Sequence, residues 1–414
     1  MNDNTNPSRN VTLLIIVAAL GYFVDIYDLL LFLIVKNRSL ASIGVPEEEI
    51  INTGLYLMNW QMAGLLIGGI LWGILGDKKG RLSVLFGSII MYSLANIANG
   101  FVQDVNTYAG LRFIAGIGLA GELGAGITLV SESMSKEKRG YGTMIVASIG
   151  LLGAVAAYFV GSHFDWRIAF YVGGGLGMLL LFLRIGVFES GMFSKIENDT
   201  VKKGNFFMLF NNKYRFKKYV CSILIASPVW FVVGILVGVA PAFGKALNIT
   251  EALDSGRGVM FTYIGISFGD FLSGTLSQVF KTRKKIVFIF ISLTYAGILF
   301  FLLSNGMTAI GFYFLCVYFG IATGYWVVFV TMASEQFGTN LRSTVTTTAP
   351  NFVRGSLILI TFLFTFFTNH FGIINSGLIV GTLTVLIAYV ALSQLEETFG
   401  KDLDYVEPNI STGI

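Results

Sequence analysis

The chain has 414 residues, 54% of them hydrophobic and 13% charged, with a mean hydropathy of +0.73 and a formal net charge of +4. Soluble domains carry about 25% charged residues, so this composition belongs to an integral membrane protein, and the small, scattered positive balance offers no surface for nucleic acid. Cys221 and Cys316 both sit in apolar stretches and give no disulfide framework.

Residues 11–35 form the first apolar run, long enough to cross a bilayer as a helix. It follows ten mostly polar residues and has no small-residue cleavage pattern after it, so it reads as a retained span and not a signal peptide. Inside it lie Asp25 and Asp28, three residues apart and therefore on one helical face. A carboxylate in mid-membrane costs about 3 kcal/mol or more, so the pair needs a cation, a proton or a wet cavity. Further runs follow at 51–75, 82–102, 107–130, 142–162 and 168–188. After a polar, lysine-rich stretch (189–217) come 218–243, 259–280, 286–304, 309–333, 344–369 and 372–393. The pattern predicts an all-α membrane fold of twelve transmembrane helices in two pseudo-symmetric six-helix bundles. Its divisions are an N-terminal bundle (1–190), a cytoplasmic linker (191–217), a C-terminal bundle (218–394) and a cytoplasmic tail (395–414).

Lysine and arginine placement orients the chain. With the N-terminus cytoplasmic, one side collects twenty basic residues and the other only Lys36, Arg38, Arg167, Lys245 and Arg257; Arg112, Arg184 and Arg354 remain within or at the edge of spans. An internal repeat supports two halves in the same order. Gly68-x4-Gly73 returns as Gly269-x4-Gly274, and Glu132-x6-Arg139 as Glu335-x6-Arg342. Parallel six-helix halves around a midplane site are a transporter architecture.

Between the second and third helices the chain reads Gly73-Ile-Leu-Gly-Asp77-Lys-Lys-Gly80-Arg81. Gly80 permits a tight turn, the basic residues hold the loop at the cytoplasmic face, and Asp77 ends a helix where a neighbouring helix N-terminus can stabilise it. This stretch resembles the signature of the major facilitator superfamily. Arg112-Phe-x-x-Gly116-x4-Gly121-Glu122, with Glu132 and Lys138-Arg139-Gly140, resembles the fourth helix of its metabolite:proton symporter branch. Asp25-Ile-Tyr27-Asp28 resembles that branch's first helix, and Asp165-Trp166-Arg167 and Arg184 the surroundings of its sixth. Gln278 stands where a second latch would carry aspartate, and residues 150–161 lack the glycine-proline element of drug antiporters, which favours uptake.

Gly116-x-Gly118-x-x-Gly121 fits a dinucleotide-binding pattern, but no strand precedes it. Gly116, Ala120 and Gly124 read better as a helix-packing face. His163 and His370, the only histidines, lie at outer helix ends with no nucleophile or metal cluster beside them.

The resemblance implies that helices 1 and 4 line a central cavity. Rise per residue puts Asp25 and Asp28 in the outer half of helix 1 and Arg112 about 8 Å below the outer surface. Arg112 is therefore expected to pair with Asp28 or Asp25 and to be released on protonation. Glu122, about 15 Å deeper on helix 4, has no obvious partner and is the other candidate proton carrier. Arg354 is the expected cation for an anionic substrate group; Asp270 and Arg354 could equally serve only to neutralise other buried charges. Tyr27, Asn59, Gln61, Trp230, Tyr325, Trp326 and Asn351 could line the cavity, though each could equally be a packing residue. A gating role falls to Asp77, Gly80, Arg81, Glu132, Arg139, Glu335 and Arg342. Pro228, Pro241 and Pro350 could kink their helices.

The expectation is a proton-coupled importer of an organic anion or amino-acid-like zwitterion, working by alternating access. It would be a monomer in a bacterial inner membrane with both termini cytoplasmic, using no cofactor or metal and no enzyme chemistry. A proton-independent facilitator, an exporter or a transporter-like sensor are the alternatives.

Overall fold

The computed structural model describes residues 7–79, 81–122, 124, 139–189, 206–401 and 407. Among these it is helical throughout, with no strand. In chain order the spans are α1 (Pro7–Ser42), α2 (Ile50–Lys79), α3 (Arg81–Asn99), α4 (Val105–Leu119), α5 (Arg139–Leu151 and Gly153–His163) and α6 (Trp166–Glu189). Then come α7 (Lys213–Leu224, Ser227–Trp230, a π-helical Phe231–Val237 and Ala240–Ala246), α8 (Ser255–Val279), α9 (Lys284–Leu303) and α10 (Ala309–Thr323 and Trp326–Glu335). The last two, α11 and α12, run through Thr339–Gln394 and turn at Gly372, whose φ of 75° needs a residue without a side chain.

Twelve spans are present, with three departures from their expected course. First, α1 continues seven residues past 35 to Ser42, so Asp25 and Asp28 lie near the middle of the helix. Second, α7 is broken. Pro228 opens one short segment and Pro241 another, and the backbone between them widens into a π turn. Proline removes a ladder donor, and membrane helices tolerate this where neighbours satisfy the freed groups. Third, α10 breaks at Gly324 and Tyr325.

Small residues set the closest packing. A methyl group on Gly64 or Gly116 would collide with the facing backbone of α4 or α2, and one on Gly265 or Gly320 would do the same between α8 and α10. The two helix pairs are thus fused through glycine in equivalent places of the two halves, as the internal repeat implies. Gly116 and Ala120 face α2 and Gly124 faces Thr347 of α11, so the dinucleotide-like pattern is a packing face. The halves meet where α2 and α4 face α11, where α5 faces α8, and where α1 faces α7 and α8.

Candidate functional site

Helix α1 passes through the middle of the molecule with Asp25 and Asp28 fully buried, and the two carboxylates meet different cations. Asp25 Oδ2 lies 3.8 Å from Arg354 Nη2, on α11 of the opposite half, and neither oxygen of Asp25 accepts a hydrogen bond. Asp28 lies within electrostatic reach of Arg112. It packs so tightly on α6 that a methyl group at Gly173 would strike its Oδ1. Arg112 is held by Asn96 Oδ1 (2.8 Å) and Asn99 Oδ1 (3.2 Å) and lies over the Phe170 ring at 4.7 Å. The expected grouping of Arg112 with either aspartate therefore holds, as a charge neighbour, for Asp28. Asp25 instead faces across the boundary between the halves, because a three-residue offset turns the two side chains about 60° apart.

Glu122 departs from expectation more sharply. It is not unpaired: Arg184 of α6 grips it with Nη1 on Oε2 at 3.0 Å and Nη2 on Oε1, and both residues are buried. Gly21 of α1 seals the pair, since a methyl group there would strike both side chains. A planar guanidinium matched to a carboxylate satisfies most of the hydrogen-bonding capacity of each.

Asp270 serves the break in α10. Its Oδ1 accepts from the Val327 amide at 3.1 Å, so a buried carboxylate caps the N-terminus of the Trp326–Glu335 segment. Helix N-termini favour negative charge, and this carboxylate has no ion pair with Arg354 among the described contacts. Tyr325 braces the same break by donating to the Ile225 carbonyl in α7 at 2.9 Å.

Between the halves lies a small cavity of about 20 Å³, lined by Tyr22, Ile26, Leu151, Val229, Trp230, Tyr263, Ile266, Trp326 and Arg354. That is the room of about one water molecule. Two donors on its lining residues, Arg354 Nε and Trp326 Nε1, are buried without a hydrogen-bond partner. Of the residues named from sequence, Arg354, Trp230 and Trp326 reach it. Tyr27, Gln61 and Asn351 make hydrogen bonds that join helices. The Tyr27 hydroxyl donates to Ala169 O at 2.9 Å and Gln61 Nε2 to Leu29 O at 3.3 Å. Asn351 Nδ2 donates to Ala120 O at 2.8 Å, joining α11 to α4, while its Oδ1 lies 3.5 Å from Arg354 Nη1. Asn59 is not among the lining residues. Sequence reasoning missed Tyr22 and Ile26, although both fall within one turn of Asp25, and missed Tyr263 on α8.

Contacts between the halves are described at both ends of the bundle. At the end opposite the 79–81 connection, buried Lys36 of α1 donates to the Gly238 carbonyl of α7, and Arg257 Nε to the Tyr158 hydroxyl at 3.2 Å. At the other end α2 and α4 press on α11 through Gly69, Gly73 and the contact of Asn351 with Ala120.

Among the residues expected to gate, Gly80 and Glu132 lie outside the described residues. Asp77 falls in the last turn of α2, while Arg81 opens α3 and Arg139 opens α5. Glu335 is bound by Arg283 in a two-pronged contact (3.1 and 3.2 Å) and by the Thr398 hydroxyl (2.7 Å). Arg342 donates to Phe337 O at 3.4 Å. The segment after α12 joins this cluster through Thr398, and its Glu396 pairs with Lys401 (2.8 Å) and accepts from the Tyr214 hydroxyl (2.6 Å).

A sequence model of the Major Facilitator Superfamily matches residues 11–357. The chain belongs to that family. It is 33% identical over 162 residues, 38% of its length, to the niacin transporter NiaP of Acinetobacter baylyi (strain ATCC 33305 / BD413 / ADP1). It is 31% identical over 121 residues, 28% of its length, to the 3-(3-hydroxy-phenyl)propionate transporter of Escherichia coli (strain K12). The aligned segments span 36% and 30% of those relatives, and 53% and 66% of two further ones. The fold is similar to that of the proton:xylose symporter XylE bound to 6-bromo-6-deoxy-D-glucose, with a TM-score of 0.72 over 96% of this chain and 98% of that one at 18% identity. The molecule is thus a multi-pass membrane protein of the Major Facilitator Superfamily, and the relatives named here are transporters.

Proposed function

We propose that the chain imports a small organic anion, and specifically a ring-bearing monocarboxylate, together with a proton. The observation that carries this reading is Arg354. It is a buried guanidinium on the wall of an aromatic cavity, with Nε unpartnered and its one described charge contact a loose 3.8 Å. A guanidinium binds carboxylate through two parallel hydrogen bonds, and Trp326 Nε1 supplies a further unused donor. Tyr22, Trp230 and Tyr263 give flat apolar faces for a ring. The names of the two relatives support the same class, since niacin and a phenylpropionate each pair one carboxylate with one ring. The site lies between the two halves, so movement of the halves against each other would open and close it, as alternating access requires.

Proton coupling rests on the buried aspartates. Asp28 beside Arg112 and Asp25 beside Arg354 each change partner strength on protonation, while Glu122, held by Arg184, acts as a fixed counter-ion. We read the Glu335 cluster as part of a cytoplasmic latch, and the lysine and arginine distribution supports cytoplasmic termini. The test is uptake of labelled nicotinate into proteoliposomes with an imposed pH gradient, acidic outside. Accumulation that needs the gradient and disappears in Asp28→Asn is expected. Gradient-independent exchange would replace symport by facilitated diffusion, and binding without flux would make the chain a sensor.

A further inference from the structure

Two features of Arg354 point in opposite directions. It faces the cavity, and it is also the cation nearest Asp25, a side chain from the other half of the molecule. Asp25 is fully buried and takes no hydrogen bond from any described group, so Arg354 is the main charge that makes an ionised Asp25 tolerable. The groups around it from each packed element offer no substitute. Tyr22 and Asp28 lie on α1 itself, Tyr92 on α3, Glu122 on α4 and Tyr263 on α8, all acidic or neutral in type. Arg184 of α6 is occupied by Glu122, and Arg112 by Asn96 and Asn99 on the Asp28 side.

We infer that a substrate carboxylate and the Asp25 carboxylate compete for Arg354, and that Asp25, displaced, binds one proton for each anion bound. This deepens the reading of the site as an organic-anion site and rests on it. The physical ground is the large cost of leaving one member of a buried ion pair without its partner. A carboxylate avoids that cost by taking a proton from the aqueous side. Loading the anion thus loads the proton, with no net charge added to the site. The loaded form is neutral overall, which suits a step in which the two halves rock past each other across lipid. A neutral ligand of the same shape leaves the Asp25 and Arg354 pair intact and carries no proton.

The test uses the purified full chain in nanodiscs and measures the affinity of nicotinate and of nicotinamide between pH 5.5 and 8.5 by tryptophan fluorescence. Proton uptake is read separately by calorimetry in buffers of different ionisation enthalpy. Nicotinate affinity is expected to fall about tenfold for each unit rise in pH, the linkage slope of one proton, with one proton taken up per anion. Nicotinamide is expected to show neither effect. Asp25→Asn should bind nicotinate with no pH slope and no proton uptake, and its fold is checked by size-exclusion elution and helical circular dichroism. Binding of nicotinate without proton uptake overturns the competition, as does an unchanged slope in Asp25→Asn. Failure of the wild-type chain to bind nicotinate, benzoate or phenylpropionate overturns the organic-anion reading and the competition with it.

Discussion

The pair of Glu122 and Arg184 gives a prediction whose size follows from the coordinates. Both side chains are buried and joined by two hydrogen bonds. Arg184→Gln therefore leaves a carboxylate with no other ion pair among the described residues, and Glu122→Gln leaves a guanidinium in the same state. Breaking a buried pair from one side costs about 3–5 kcal/mol, whereas neutralising both partners is often close to neutral. In a unit of 150–250 residues, the size range of one six-helix half, each kcal/mol moves the melting temperature by about 2–4 °C. Each single variant should then melt about 6–20 °C lower, and Glu122→Gln with Arg184→Gln should recover most of that loss. The assay is thermal unfolding in detergent, followed by tryptophan emission and size-exclusion recovery. On the proposed reading, in which this pair ties the fourth helix to α6 and the aspartates of α1 carry the proton, the double variant should also retain pH-driven accumulation. Single variants as stable as wild type would refute the structural role. Loss of coupling in a stable double variant would return the proton to Glu122.

Two further outcomes follow from charges nearer the ends of the bundle. Lys36 is buried with one described hydrogen bond, to Gly238 O, so closing that entrance strips water from an ammonium that gains one acceptor, at a cost of several kcal/mol. Lys36→Met removes the cost and should favour closure, seen as about tenfold slower maleimide labelling of a cysteine placed at Leu33; faster labelling would show that the lysine is a clasp. At the other end, hydrogen bonds from Lys401 and Tyr214 draw the Glu396 carboxylate down to about 2. A depressed carboxylate stabilises above its unfolded value of about 4.3 and loses that contribution as pH falls through about 2. The tail cluster is therefore constant between pH 5 and 8, and Glu396→Gln should leave the pH profile of uptake unmoved, as measured in proteoliposomes.

How much of this could be read from the sequence depends on the range of the interaction. The spans were legible because an apolar run of about 20 residues has few other fates, and the glycines at 68 and 269 announced the matched helix pairs. Breaks were half legible. Pro228 and Pro241 marked α7, but nothing in the composition of α10 marked Gly324, because that break is sustained from outside by Asp270 and Tyr325. Ion pairing was the least legible. Depth along a helix axis can be counted at 1.5 Å per residue, which correctly set Arg112 near Asp28. Azimuth cannot be counted without knowing how each helix is rotated against its neighbours. Glu122 therefore looked unpaired while Arg184, on a different helix, faced it, and Asp25 looked like a second partner for Arg112 while it faced the other half.

That division of the two aspartates is what gives α1 its place in the proposed mechanism. Asp28 is enclosed within the first bundle by Arg112, Asn96 and the α6 backbone at Gly173, so its state changes how that bundle is packed. Asp25, three residues away, touches the second bundle through Arg354, so its state changes how strongly the two bundles adhere. Both sit on one rigid helix that also reaches Gly238 of α7 through Lys36. A helix in that position can transmit a single protonation to the interface without unfolding, because the side chains that respond share its rigid frame. The same placement accounts for Gly21 and Gly153, where α1 lies so close to α4, α5 and α6 that no side chain fits. Such contact leaves α1 little freedom to move apart from its own bundle, so the freedom that alternating access needs is left to the boundary that Arg354 crosses.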